Sequence, residues 1–151
     1  MGCSCLNVTE IEDFALHYHN NYRKKHKINI LRLSRELNEK AKKIVNSLQN
    51  QENLEYIFDD DNEGENLYIS SGDFNIKKVC ESWYDESKNY NFDSNEYQEG
   101  TGHFTQMIWK DTEEVGFAYI KSKDDKNYFL ALYSPPGNEV SKFGENVTKI
   151  I

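Results

Sequence analysis

The sequence predicts an α+β sandwich, because two kinds of hydrophobic rhythm occupy different parts of the chain. Three segments before residue 90 repeat apolar groups every three or four positions, the spacing of one helix face, whereas two runs after residue 114 are rich in β-branched and aromatic residues. Helices at the front and middle with strands behind are the order of a sheet covered by segregated helices. At 151 residues the chain suits one domain built on a single core.

In chain order, Met1-Gly2-Cys3-Ser4-Cys5 places a glycine where loss of Met1 exposes it, beside two cysteines open to thioacylation. A myristoyl chain on Gly2 with a palmitoyl chain on Cys3 or Cys5 would make a two-signal anchor, although Leu6 stands where the myristoylation pattern carries Ser or Thr. The competing reading of residues 1–8 is a merely flexible terminus. Thr9-Glu10-Ile11-Glu12 has the form of a capping box, and Ile11, Phe14, Ala15, Tyr18 and Tyr22 then make an apolar stripe ending near His26. His19 on this helix reads as a structural hydrogen-bonder. Ile28 to Leu33 is extended, and Ser34 caps a second helix carrying Leu37, Ala41, Ile44, Val45 and Leu48. The acidic run Asp59-Asp60-Asp61-Asn62-Glu63 lacks the spacing of a calcium loop and reads as solvated. Leu67 to Ser70 is a short strand candidate, and a third helix starts at about Asn75 with Ile76, Val79, Cys80 and Trp83 on one face. Gly100-Thr101-Gly102 leads into a short buried helix whose Phe104, Met107, Ile108 and Trp109 are core. Val115–Ile120 and Asn127–Tyr133 form an antiparallel hairpin around a polar turn, ended by Pro135-Pro136.

Composition narrows the function. Eighteen Lys and Arg against 26 Asp and Glu give a net charge of −8, the wrong sign for a general nucleic-acid binder. The densest basic cluster, Arg23, Lys24, Lys25 and Lys27, is a candidate contact for anionic lipid headgroups; equally, cations at a helix end complement its macrodipole. The sequence shows neither an apolar run of about 18 residues nor a secretory signal, and its three cysteines form no disulfide framework, so the reading is a cytoplasmic protein. Asn7-Val8-Thr9 and Asn146-Val147-Thr148 match the glycosylation pattern by chance on that reading.

The run Gly102-His103-Phe104-Thr105-Gln106-Met107-Ile108-Trp109 resembles the signature of the CAP superfamily of cysteine-rich secretory, antigen 5 and pathogenesis-related proteins. Tyr133-Ser134-Pro135-Pro136-Gly137-Asn138 resembles its second signature, with Ala131 where secreted members usually carry a cysteine. His19 to Arg23, Gly64-Glu65-Asn66-Leu67 and Trp83 to Glu86 extend the resemblance, which spans roughly residues 9–146 and implies one CAP domain over 9–151. The absence of a signal and of disulfides resembles the cytosolic, Golgi-associated branch. The resemblance implies a three-layer α-β-α sandwich with a central antiparallel sheet. It also implies a cleft with two glutamates and two histidines, matched here by Glu65, Glu86 and His103, with Tyr56 where the second histidine should stand. One imidazole makes this a weak zinc site.

Three readings compete. The first is a non-enzymatic membrane-associated module binding lipid or sterol, peripheral on an internal membrane such as the Golgi or on the plasma membrane, with Phe104, Tyr119 and Tyr133 as candidate aromatic contacts. The second is a metal-dependent hydrolase using Glu65, Glu86 and His103. The third is a scaffold whose surface binds other proteins or a second copy as a homodimer.

Overall fold

The computed structural model describes residues 8–50 and 62–150. Gly2, Cys3, Cys5, Tyr56 and Asp59 to Asp61 lie outside the described residues. Among the described residues the elements are α1 (Val8–Lys25), β1 (Arg32–Leu33), α2 (Arg35–Gln49), β2 (Gly64–Ser71), α3 (Ile76–Asp85), a 3-10 turn (Glu86–Asn89), α4 (Gly102–Met107), β3 (Glu114–Lys121), β4 (Lys126–Ser134) and α5 (Phe143–Asn146). One sheet runs in the order β1-β3-β4-β2.

The sheet is antiparallel between β2, β3 and β4, as expected, while the two-residue β1 joins β3 in parallel. β2 begins at Gly64 rather than Leu67, because Gly64, Glu65 and Asn66 pair with Tyr133, Leu132 and Ala131. Pairing with a long strand overrides the low strand preference of Gly and Asn.

Helices cover both faces. On one, Leu37, Ala41, Ile44, Val45 and Leu48 of α2 pack on Ala118, Leu130 and Leu132. Ser34 starts that helix by accepting from Leu37 N at 3.2 Å. The approach is close: a Cβ on Gly116 would lie 2.4 Å from the backbone of Leu37 and Asn38. On the other face, α1 and α3 pack Ile11, Ala15, Val79, Cys80 and Trp83 with Phe117, Phe129 and Tyr133. Asn75 accepts from Lys78 N and starts α3 where the sequence places it. This is the α-β-α sandwich, with the Cys80 thiol buried and its pKa pushed up to about 12 by desolvation.

α1 departs from its expected outline. It starts at Val8, so Thr9 lies in the first turn and not ahead of it. Its buried face is Ile11, Ala15, His19 and Arg23 at four-residue steps, while Phe14 is 42% exposed and stacks on Tyr18. Two polar side chains, His19 and Arg23, therefore continue the buried face, and Phe14, which the apolar stripe places inward, lies off it. Asn146 is also buried, accepting from Asp111 N and donating to Lys142 O, which leaves its amide no room for a glycan.

Candidate functional site

The site is built on α4, a six-residue helix whose first N–H groups have no partner within it. Glu86, in the turn after α3, supplies one: its Oε1 accepts from Phe104 N at 3.0 Å. Its Oε2 accepts from His103 Nδ1 at 2.8 Å. A carboxylate placed at the start of a helix also meets the positive end of the helix dipole. Because the Nδ1–H of His103 donates to Glu86, a neutral His103 presents its lone pair on Nε2. Trp83 stacks on the His103 ring, with centroids 5.5 Å apart and planes 5° from parallel. Trp83, expected on the buried face of the helix and within the motif that ends at Glu86, lies three residues before Glu86, and that offset puts both beside His103.

Behind the histidine a chain of hydrogen bonds runs from His103 O to Ala15 O. Asn66 Nδ2 donates to His103 O and to Tyr133 Oη, each at 3.1 Å. The His19 Nδ1–H donates to Ala15 O at 2.8 Å, so His19 Nε2 accepts from the Tyr133 hydroxyl at 2.6 Å. All three side chains are buried. Desolvation lowers the His19 pKa to about 4 and pushes the Tyr133 hydroxyl well above its ordinary value. His19 is thus the structural residue that the sequence suggests.

The two signatures interlock. Gln106 Oε1 accepts from Gly137 N at 2.9 Å and its Nε2 donates to Thr112 Oγ1, which in turn donates to Pro135 O. A Cβ on Gly64 would meet Gln106 Oε1 at 1.9 Å, so glycine starts β2 there. Asn138 adopts a positive φ of 57°, accepts from the Thr105 hydroxyl and donates to Gly102 O. The two signatures contain these amides, but no local pattern shows what they do, because the partners that join one signature to the other are 31 residues away for Gln106 with Gly137 and 33 for Asn138 with Thr105.

Of the basic cluster, Arg23 turns inward. It is fully buried and donates to four carbonyls: Asn29, Met107, Trp109 and Thr112. Burial lowers its pKa to about 10. The expected lipid contact therefore fails for Arg23, whereas Lys24, Lys25 and Lys27 are exposed. Phe104 and Tyr133 are also fully buried and Tyr119 stacks on Phe74, so these rings do not form a surface wall.

Glu65 is half-buried on β2, opposite Leu132. Among the described residues no three of His, Cys, Asp and Glu come together to hold a metal ion. A zinc centre needs three or four protein donors, so the donors described here do not fit one.

This fold, with a glutamate-held histidine behind which two signature motifs interlock, defines a CAP domain. The chain matches the family model for CAP, the cysteine-rich secretory protein family, over residues 16–133, and it belongs to that family. It is 38% identical over 137 residues to Golgi-associated plant pathogenesis-related protein 1 of Homo sapiens, covering 88% of this chain and 89% of that protein. Pathogenesis-related protein 1B of Nicotiana tabacum is 39% identical over 82 residues, covering 52% of this chain and 49% of that protein. Among solved structures, Schistosoma mansoni venom allergen-like protein 4 superposes with a TM-score of 0.70 at 23% identity, covering 88% of this chain and 97% of that one.

Proposed function

We propose that this CAP domain is a non-catalytic module that docks on anionic membrane surfaces and binds lipid or sterol there. The observation that carries the reading is the display of Lys24, Lys25 and Lys27 at the end of α1, on a base fixed by the inward-turned Arg23 and His26. His26 donates from Nδ1 to Thr148 O and accepts from the Tyr84 hydroxyl at 2.8 Å, tying that end of α1 to α3 and to the C-terminal segment. Three ammonium groups carried by the segment Lys24 to Lys27 attract anionic headgroups by about 1 kcal/mol each. Screening over about 8–10 Å lets this local patch act despite the net charge. The human relative is named as Golgi-associated, which agrees with an internal membrane. Acyl chains on Gly2 and on Cys3 or Cys5 would supply the lasting attachment. Glu86 and His103 then serve as a strut of the cleft wall, since both Glu86 oxygens are engaged by α4.

Co-sedimentation of unacylated protein with neutral and anionic vesicles, with and without sterol, tests this. Binding should require anionic lipid, weaken with salt and fall on the order of a hundredfold in Lys24→Glu/Lys25→Glu/Lys27→Glu. His103→Ala should bind as wild type does. Equal binding to neutral vesicles, or a triple variant that still binds, would overturn the proposal.

A further inference from the structure

Among the described residues the large apolar or aromatic side chains exposed to solvent are Phe14, Ile30, Ile69, Tyr97, Val140 and Ile150. One such side chain on its own is ordinary and calls for no partner. Phe14, Tyr97 and Val140 each follow an acidic residue, Asp13, Glu96 and Glu139, and Ile69 lies on β2 between Tyr68 and Ser70. Ile30 and Ile150 differ, because the fold ties the segments that carry them to the lysine-bearing end of α1.

Ile30 is presented by a backbone that α1 pins on both sides of it. Ile28 N donates to Arg23 O, Arg23 Nε donates to Asn29 O at 2.8 Å, and Asn20 accepts from Leu31 N at 2.7 Å while donating to Leu31 O at 3.2 Å. The chain thus folds back along the last turns of α1, with Leu31 buried and Ile30 53% exposed. Lys24 follows Arg23 and stands one turn beyond Asn20, and Lys27 starts the return with a φ of 56°, so both cations lie within about a helical turn of the segment that presents Ile30. Lys25 leans the other way, 5.4 Å above the ring of Tyr22, which stacks on Tyr84 of α3. Ile150 arrives on that side. His26 bonds both the Tyr84 hydroxyl and Thr148 O, and Ile150, 54% exposed, is two residues and at most about 7 Å of chain beyond Thr148, with Lys149 between them.

We infer that Ile30 and Ile150 are the apolar members of the membrane contact, entering the bilayer interface beneath the headgroups that Lys24, Lys25 and Lys27 bind. The inference rests on the membrane reading above and names the part of that contact that charge cannot supply. Phosphate satisfies lysine equally on a lipid and on a soluble polyanion, but only a bilayer offers an apolar layer just below its charge. Asp111 and Glu113 are exposed on either side of Thr112, whose carbonyl Arg23 also holds, and they thin the positive field at this end of α1. Apolar contact then carries a larger share of the binding. The pinned backbone keeps its cost low, since the segment that presents Ile30 is ordered before it meets the membrane.

In co-sedimentation, Ile30→Ser/Ile150→Ser should bind anionic vesicles about tenfold more weakly than the wild type, with an unchanged salt dependence and undiminished binding to inorganic polyphosphate. Ile30→Trp and Ile150→Trp should each be quenched by vesicles whose acyl chains are brominated near the headgroup, against a steady background from the buried Trp83 and Trp109. A double serine variant that binds vesicles as the wild type does, or introduced indoles that stay unquenched on bound protein, would overturn the inference and leave the lysine contact standing. Equal losses toward vesicles and polyphosphate would also overturn it, because the isoleucines would then act through the fold. A wild type that binds no anionic vesicle removes the membrane reading and this inference together.

Discussion

Tyr133 carries more of the site than its position in a strand suggests. Its hydroxyl donates to His19 and accepts from Asn66, and Asn66 also holds the carbonyl of His103, so one oxygen links α1, β2, β4 and α4. Tyr133→Phe leaves His19 Nε2 buried without a donor, a loss of about 1–3 kcal/mol that urea unfolding should register. Because the phenylalanine ring fills the same space, the loss should appear with the slope of the unfolding curve unchanged. The identity of Tyr133 was visible in its signature; its role was not, because its partner His19 is 114 residues away. The pairing of Glu86 with His103 was anticipated only as membership of one cleft, and the additional bond to Phe104 N depends on the orientation of α4, which no local pattern carries.

At the level of elements, α1 shows where periodicity informs and where it misleads. The helix, its length and the core positions Ile11 and Ala15 follow from the spacing of apolar residues. Hydrophobicity alone points Phe14 inward, yet the face continues through His19 and Arg23. Arg23 is buried because the end of α4 and the turn after it leave carbonyls that a forked, five-donor guanidinium can satisfy together. Lysine keeps the charge but not the fork, so Arg23→Lys should cost more than about 3 kcal/mol in urea unfolding, whereas Lys24→Ala one residue on should stay within about 0.5 kcal/mol. Similar costs for both would show that the carbonyl cluster does not need the guanidinium. The start of β2 escapes local propensity for the reciprocal reason: glycine and asparagine are weak strand formers, and their presence there is explained by distant partners, Gln106 in the space at Gly64 and the His103 carbonyl and Tyr133 hydroxyl that Asn66 holds.

For the molecule as a whole, two neutral histidines within the core set a response to acid. The folded pKa of His19 is depressed to about 4 and that of His26 is lowered, in both cases first by burial. Above the unfolded value of about 6.5 neither state carries the proton and the stability is pH-independent on this account. As pH falls from about 6.5 toward about 4, the unfolded chain takes up protons that the fold refuses, and His19 alone should remove up to about 3 kcal/mol. Urea midpoints measured at pH 7.5, 5.5 and 4.5 should fall in that order, and His19→Gln should flatten the profile. A wild-type midpoint that holds to pH 4.5 would mean that these rings are protonated in place.

The two borders of the sheet are unlike. Along β3, β1 binds at Glu113 and Val115 through Arg32 N and Ser34 N, and the Asn38 side chain then accepts from Phe117 N at 2.8 Å, where another strand would otherwise dock. Asn38, a polar residue set into the apolar face of α2, is in this light a stopper: it closes that stretch of the β3 border to strand addition from a helix and not from a strand.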